Sequence, residues 1–391
     1  MKLMIILCVL SANTLNADAG DMLRRAIGAG DLTVMENLLS SGLNPNLPDR
    51  QGQTPLNVAM LMGRVPAVEL LLTWHADPNA PLIGGNPSSA TPLEYAVRNR
   101  NLRMASVLIA GGAHVDASAR GGRTPLHAAV GAGGLDMIQL LIQKGADPNA
   151  RDAEGASPHD AVWNGSLDVV ALLLARGARL NDFDTKTGAT PINEAAYRGH
   201  TPTIQYLLQF HPDLSISDRK GHGPLINAIL MGKEEAALLL LAAEPKPVQF
   251  FEAAMEPAIA RDYSAVVAAL LSNGMKLNGV VLPSGATPLA AAAASGATGV
   301  VRLLLDNHAD PNEDSSNGTT TPLEEASLRG FDSIAALMID HGAAVNHVNS
   351  GSGTTALYAA ASFGKSTTSP SGSAISNHRP LKAASGLLAR C

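Results

Sequence analysis

The chain has 391 residues, a formal net charge of −6, 3% aromatic and 16% charged residues. So mild a negative charge over this length gives no support to a nucleic-acid binder and mainly favours solubility. Ala and Leu dominate, and few aromatics remain for one large core, so the composition suits thin, closely stacked helices.

The N-terminus runs Lys2, an apolar stretch Leu3–Leu10, polar Ser11–Asn16, then Ala17-Asp18-Ala19. That order is expected of a secretory signal peptide spanning residues 1–19, cleaved after Ala19. The apolar stretch is too short to cross a bilayer as a mature helix, and no later segment is apolar enough to do so. An amphipathic helix capping the array is the alternative. Leu7-Cys8 makes a poor lipoprotein box. Cleavage would remove Cys8 and leave Cys391 as a lone terminal thiol, so the mature chain is expected to hold no internal disulfide.

From residue 20 onward one pattern recurs, and it is clearest in Thr124–Asp152. Thr124 can cap a helix and Pro125 suits its first turn. Leu126, Ala129 and Val130 share a face, and Gly133-Gly134 break the helix. Met137, Ile138, Leu140, Leu141 and Ile142 predict a second, more apolar helix that Gly145 stops, and Asp147-Pro148-Asn149 starts a turn. Neither helix could bury its apolar side alone, so copies must stack. Equivalent starts fall at Asp21, Thr54, Thr91, Thr124, Ser157, Thr190, Gly223, Ala253, Thr287, Thr321 and Thr355, at spacings of 33, 37, 33, 33, 33, 33, 30, 34, 34 and 34 residues.

The stretch TPLHAA at 124–129 followed by GADPN at 145–149 resembles the ankyrin repeat. The resemblance covers residues 20–391 and leaves no room for a separate catalytic domain. It implies an all-α ankyrin-repeat solenoid of about eleven helix-turn-helix units joined by short β-hairpin-like fingers. It also implies that His127 and His159 hydrogen-bond between neighbouring repeats, and that partners bind a concave face of fingers and first helices.

In chain order, repeat one keeps Gly30, Leu38, Leu39, Gly42 and Asn46, lacks TPL, and carries Arg24 and Arg25 where an internal repeat is more apolar, as a capping repeat would. Repeat two has a finger four residues too long. In it Leu82 and Ile83 have no repeat position, so they either fold back or present a contact site with Asn86. Repeat five is one residue short in its first helix and regains it at Asn181–Ala189. Trp163 near that helix's end is expected to pack between helices. Repeat seven ends in Glu244-Pro245-Lys246-Pro247 in place of a finger, so a break in stacking geometry is expected at 243–257, with a degenerate but normally stacked repeat as the alternative. The Ser/Thr-rich run 365–379 is expected to be a loop inserted in the last repeat, with Pro380–Arg390 completing it as the C-terminal cap.

No metal, phosphate or nucleophile motif occurs, so no enzyme, cofactor or metal site is expected. His75, His211 and His308 stand where Gly145 stands, and Asp49, Asp152 and Asp218 share a finger position suited to accepting turn hydrogen bonds; repetition marks structure. Two glycosylation sequons, Asn164-Gly165-Ser166 and Asn317-Gly318-Thr319, matter only in a eukaryotic source. What remains is surface. The candidate partner-binding residues are Arg50, Leu82, Ile83, Asn86, Arg120, Arg123, Glu154, Lys186, Arg219, Lys220 and His222. Tips between Thr54 and Gly223 lean basic within an acidic chain. The expected function is a monomeric, non-enzymatic protein-binding scaffold, preferring an acidic protein segment and exported from the cytoplasm. The alternatives are an exported accessory factor docking to an envelope or defence enzyme, or an effector delivered to a host cell.

Overall fold

A computed structural model describes residues 19–82, 91–118, 120–153, 155, 157–243, 248–315, 320–349, 351 and 353–366. The predicted leader, the finger residues Ile83 and Asn86, Glu154, the segment 244–247, the sequon at 317–319 and everything from 367 on lie outside the described residues. Of Arg120, His159 and Glu252 only the backbone is described.

The described residues form helix pairs in the predicted register. First helices are α1 (residues 19–29), α3 (Pro55–Leu61), α5 (Pro92–Arg98), α7 (Pro125–Ala132), α9 (Ser157–Trp163), α11 (Pro191–Arg198), α13 (Pro224–Leu230), α15 (Val248–Ala260), α17 (Pro288–Ser295), α19 (Pro322–Leu328) and α21 (Ala356–Ser366). Second helices are α2 (Leu32–Ser40), α4 (Val65–Thr73), α6 (Leu102–Ala110), α8 (Leu135–Gln143), α10 (Leu167–Ala175), α12 (Thr201–Leu208), α14 (Glu234–Ala243), α16 (Ser264–Ser272), α18 (Thr298–Asp306) and α20 (Asp332–Asp340). The chain divides into two units, Met1–Pro191 and Ile192–Cys391. In the first, α3, α5, α7 and α9 pack side by side, with α2, α4, α6, α8 and α10 as a second row. In the second, α13, α15, α17, α19 and α21 form the inner row and α12, α14, α16, α18 and α20 the outer.

Local chemistry starts and stops each helix. Thr54, Thr91, Thr124, Thr287 and Thr321 each cap an inner helix by accepting from a backbone N–H three residues on, with proline at the following position. The turn between the two helices of a pair needs a left-handed residue, and Gly63, Gly133 and Gly296 supply it. Leu56, Leu93 and Leu126 in the first unit, and Leu289 and Leu323 in the second, are buried at one repeat position. Each such burial is worth about 1.5–3 kcal/mol relative to exposure.

Among the described residues no strand forms. The fingers are turns closed by one backbone bond, as from Asp49 N to Gln53 O (2.9 Å), Asp218 N to His222 O (3.0 Å) and Asn349 N to Thr354 O (2.9 Å). The repeated finger carboxylates hold these turns: Asp49 accepts from Gln51 and Gln53, Asp152 from Gly155, and Asp218 from Lys220 and His222. Repeat seven has no described finger. Instead α15 begins five residues before the expected start at Ala253, and α13 and α14 pack against α15 and α16 in the same two rows.

One side chain per finger ties repeat to repeat. Asn149 Nδ2 donates to Gly177 O (2.9 Å) while its Oδ1 accepts from Arg179 N (2.8 Å). Asn46, Asn79, Asn278 and Asn312 make the same pair of bonds to the next repeat. Asp116 takes this place in repeat three. It accepts from Asp147 N (3.1 Å) but has no N–H to give, and burial raises its proton affinity above the ordinary carboxylate value. The acceptor in each rung is the carbonyl of the residue that ends an outer helix. That residue is left-handed: Gly112, Gly177 and Gly342 in three rungs, but His75 (φ 62°) and His308 (φ 66°) in two others.

His127 is fully buried. Its Nδ1 accepts from Thr124 N–H (3.2 Å) and lies 2.9 Å from Thr124 Oγ1. The proton therefore sits on Nε2, facing the finger at Ala150–Gly155. Burial holds its pKa below the ordinary histidine value, against the pull of the Asp152 charge and of the Gly155 and Ala150 backbone.

Three outcomes are expected from chemical denaturation. His75→Gly and His308→Gly each stabilise by about 0.5–1 kcal/mol, because a non-glycine residue is costly in the left-handed region. Asn312→Ala costs about 1–3 kcal/mol for two lost bonds, while Asp116→Asn gains about 1 kcal/mol by completing a rung. A neutral, depressed histidine leaves the unfolded chain to take up the proton first as pH falls through about 6.5. Wild type should thus lose stability between about pH 7.5 and 5.5 more steeply than His127→Asn; parallel pH curves would refute this assignment.

Candidate functional site

The predicted tip residues do not form one cluster. In the first unit Arg50 and Lys186 are exposed on separate fingers, Lys186 with its backbone N–H held by Asp184. In the second unit Arg219 and Lys220 are exposed on the finger that Asp218 holds, and His222 is half-buried. Leu82 is buried, at 4% exposure. It folds back against the array and so is corrected as a contact residue: the hydrophobic side chain gains more from burial than a tip position would allow.

Arg123 is half-buried and is not a tip. Its guanidinium runs down over α7, so that a Cβ on Gly131 would sit 3.7 Å from Nη2. Nη1 is 3.9 Å from Asp152 Oδ2, and Nη2 is 4.0 Å from Asp160 Oδ2 and 3.5 Å from His127 O. His127, Asp152 and Asp160 each turn one nitrogen or oxygen into this spot, all within 4.8 Å of one another. Three such ligands would suit a cation. Here the Arg123 guanidinium lies beside both carboxylates and balances them, and the Nε2 proton of His127 faces the finger, so the group acts as an ion-pair clasp between finger and helices.

Gly131 belongs to a row. It stands two residues before the left-handed turn residue Gly133, as Arg98 stands before Arg100 and Trp163 before Gly165. With α5, α7 and α9 side by side, these three residues follow one another across the inner-helix face of the first unit. Trp163 is 56% exposed, which corrects its expected place between helices. Counted back from the turn residues Gly133 and Gly165, Ala161 and Val162 stand where Ala129 and Val130 stand and are buried as they are, which leaves Trp163 at the Gly131 position on the face. In the second unit the same row position holds Tyr197 and Leu328, both exposed.

Arg98 reaches Glu94 at 2.6 Å. The Glu94 side chain is buried, and desolvation raises its pKa above the ordinary value against the opposing Arg98 and Arg123 charges. Glu94 stands where His127 stands in the next repeat, as do Asn57, Asn193 and Glu324; all are buried. Asn57 Nδ2 donates to Pro81 O (2.9 Å), Asn193 Nδ2 to Ile216 O (3.0 Å), and Glu324 accepts from Thr321 N, Asn349 Nδ2 and Thr354 Oγ1. In these repeats the position is a polar strut, whereas Ile226 and Ala290 hold it in repeats seven and nine. Sequence reading found it only at His127 and His159; the signal it missed was the polar residue three after Thr54, Thr91, Thr190 and Thr321. Arg98 and Gly131 were likewise missed, although both stand at a fixed distance from the turn residues.

Three ankyrin descriptions match the chain: ankyrin repeats (3 copies) over residues 80–152 and 158–249, ankyrin repeats (many copies) over 23–72, and ankyrin repeat over 284–316. The chain is 30% identical over 224 residues to ankyrin repeat protein nuc-2 of Neurospora crassa, covering 57% of this chain and 21% of that protein. It is 44% identical over 158 residues to human palmitoyltransferase ZDHHC13, covering 39% of this chain and 25% of the enzyme. The matches thus span about a fifth to a quarter of these relatives. Among solved structures, the ankyrin repeat domain of Bcl-3, a member of the IkappaB family, is similar with a TM-score of 0.50 and 28% identity, covering 56% of this chain and 97% of that one. No helix among the described residues is long and apolar enough to cross a membrane. Repeats of this kind imply a protein–protein interaction module. With its helix pairs, caps, turn glycines and finger asparagines at one recurring register, and with these matches, the chain belongs to the ankyrin repeat family.

Proposed function

We propose that the chain is a non-enzymatic scaffold that holds a partner protein on its finger and inner-helix face. The observation that carries this is the row two residues before the turn: Trp163 in the first unit, and Tyr197 and Leu328 in the second, are exposed at a position the fold does not need filled. Gly131, at the same position, shows that a repeat builds normally without a side chain there. Large aromatic side chains exposed on a rigid face are typical anchors of protein interfaces. The helices beneath are fixed by caps and rungs, so binding demands little ordering of the surface.

We further propose export. It rests on the leader-like order of residues 2–19, and the compartment bears on which partner is met.

Capture from the source organism tests the first reading. Trp163→Ser and Tyr197→Ser should each lower recovery of the partner several-fold, whereas Glu36→Ser and Arg103→Ser on exposed faces of α2 and α6 should not. Loss confined to the outer-helix changes would overturn the proposal. Fractionation with N-terminal sequencing tests export: a mature chain beginning at Gly20 is expected, and cytosolic protein retaining Met1 would refute it.

A further inference from the structure

We infer that the first unit carries a cationic notch at Gly131 that accepts an extended acidic segment of a partner protein. The inference rests on the scaffold reading above and adds the chemistry of what is bound. Its floor is the Arg123 guanidinium, whose Nη2 lies 3.7 Å from where a Cβ on Gly131 would sit. On one side stands Arg98, 46% exposed, and on the other the exposed Trp163 indole.

The charge presented here differs from the charge beneath. Glu94 and Asp152 are buried, with side chains 1% and 2% exposed. Their charges orient Arg98 and Arg123 from below and are not offered to a partner. Among the described residues the outer layer holds two guanidinium groups and one partly exposed carboxylate, Asp160. Both ion pairs of Arg123 are long, 3.9 and 4.0 Å, and its one hydrogen bond, to His127 O, is 3.5 Å. Its five N–H groups therefore retain capacity for a closer acceptor, and a guanidinium fork matches a carboxylate in two parallel bonds. Arg98 is held by Glu94 through Nη2 alone, at 2.6 Å, and its side chain stays 46% exposed.

Spacing defines the segment. Packed helices stand about 8–10 Å apart, and an extended chain advances about 3.3 Å per residue, so one repeat corresponds to three residues of ligand. Two carboxylates three residues apart would meet Arg98 and Arg123. An apolar side chain a further three residues along would cover Trp163. The notch thus selects acidic-x-x-acidic-x-x-apolar, read in either direction.

The test uses the full chain and a fluorescein-labelled peptide, Leu-Ser-Ser-Glu-Ser-Ser-Glu-Ser-Ser-Leu, which has the spacing in both directions. The control peptide has Gln for both Glu. Anisotropy should show binding of the first and at least about tenfold weaker binding of the second, since each charge-assisted pair is worth more than the 1.4 kcal/mol that makes a tenfold difference. In a Trp74→Phe background, Trp163 is the sole tryptophan and its emission should shift on binding. Arg98→Ser and Gly131→Leu should each weaken the peptide about tenfold. Gly131→Leu fills the notch, removes no charge and improves helix propensity, so its loss cannot be put down to unfolding. Failure of the peptide to bind wild type, or equal binding to Gly131→Leu and Arg98→Ser, overturns the notch. The two readings separate in the capture experiment. A partner retained by both of these variants but lost with Trp163→Ser refutes the notch and leaves the scaffold standing.

Discussion

The amide that bridges one repeat to the next is the interaction on which the rest depends. An outer helix ends with a carbonyl that has no acceptor role left within its own helix, in a left-handed residue such as Gly177 or Gly342. The finger asparagine of the preceding repeat gives that carbonyl an N–H and takes one from the backbone two residues on. Both ends of the amide are used, so the finger cannot slide or rotate against its neighbour. Apolar burial holds the helices together but is non-directional; the rungs fix the register in which inner-row side chains of successive repeats line up. Asp116 shows the constraint by exception, because it can fill only half of the rung and is desolvated in doing so.

Much of this was legible because the repeat is read many times over. A glycine at one repeat position in six units declares a left-handed backbone there, and the histidines at 75, 211 and 308 fall into that column; all three are left-handed. The finger aspartates were likewise legible as turn acceptors. The misreadings came where one repeat differs from the rest. Trp163 near its helix's end looked interior, but counted from Gly165 it stands at the exposed position of Gly131. Leu82 was left open between folding back and exposure because it has no repeat position, and its burial decides for folding back. Early onset of α15 was hidden because its extra residues occupy the place of a finger.

The strut position shows how the fold's own needs reach the surface. Where this position is polar, histidine, asparagine and glutamate are all accepted and all buried. Glu324 meets that need inside, with three donors around it. Glu94 does not: among the described contacts its partner is Arg98, which reaches it through Nη2 while its side chain remains about half in solvent. A buried acid thus places an exposed cation. Removing Glu94 alone would free Arg98 to wander, and removing Arg98 alone would leave a carboxylate buried without its counter-charge.

Arg123 joins the two duties. Its charge balances Asp152 and Asp160 and so clasps the finger to α7 and α9, yet its distances to both are too long to satisfy its donors. Its Nη2 lies beside Gly131 on the inner face, 3.7 Å from where a Cβ there would sit. A surface arginine ordinarily loses side-chain freedom when it binds, a cost of order 0.5–1.5 kcal/mol. Arg123 has already lost much of that freedom to the fold, and Arg98 to Glu94. A ligand that meets both finds them in place, and this preorganisation, more than the number of positive charges along the fingers, gives this stretch of the face its capacity to select a partner.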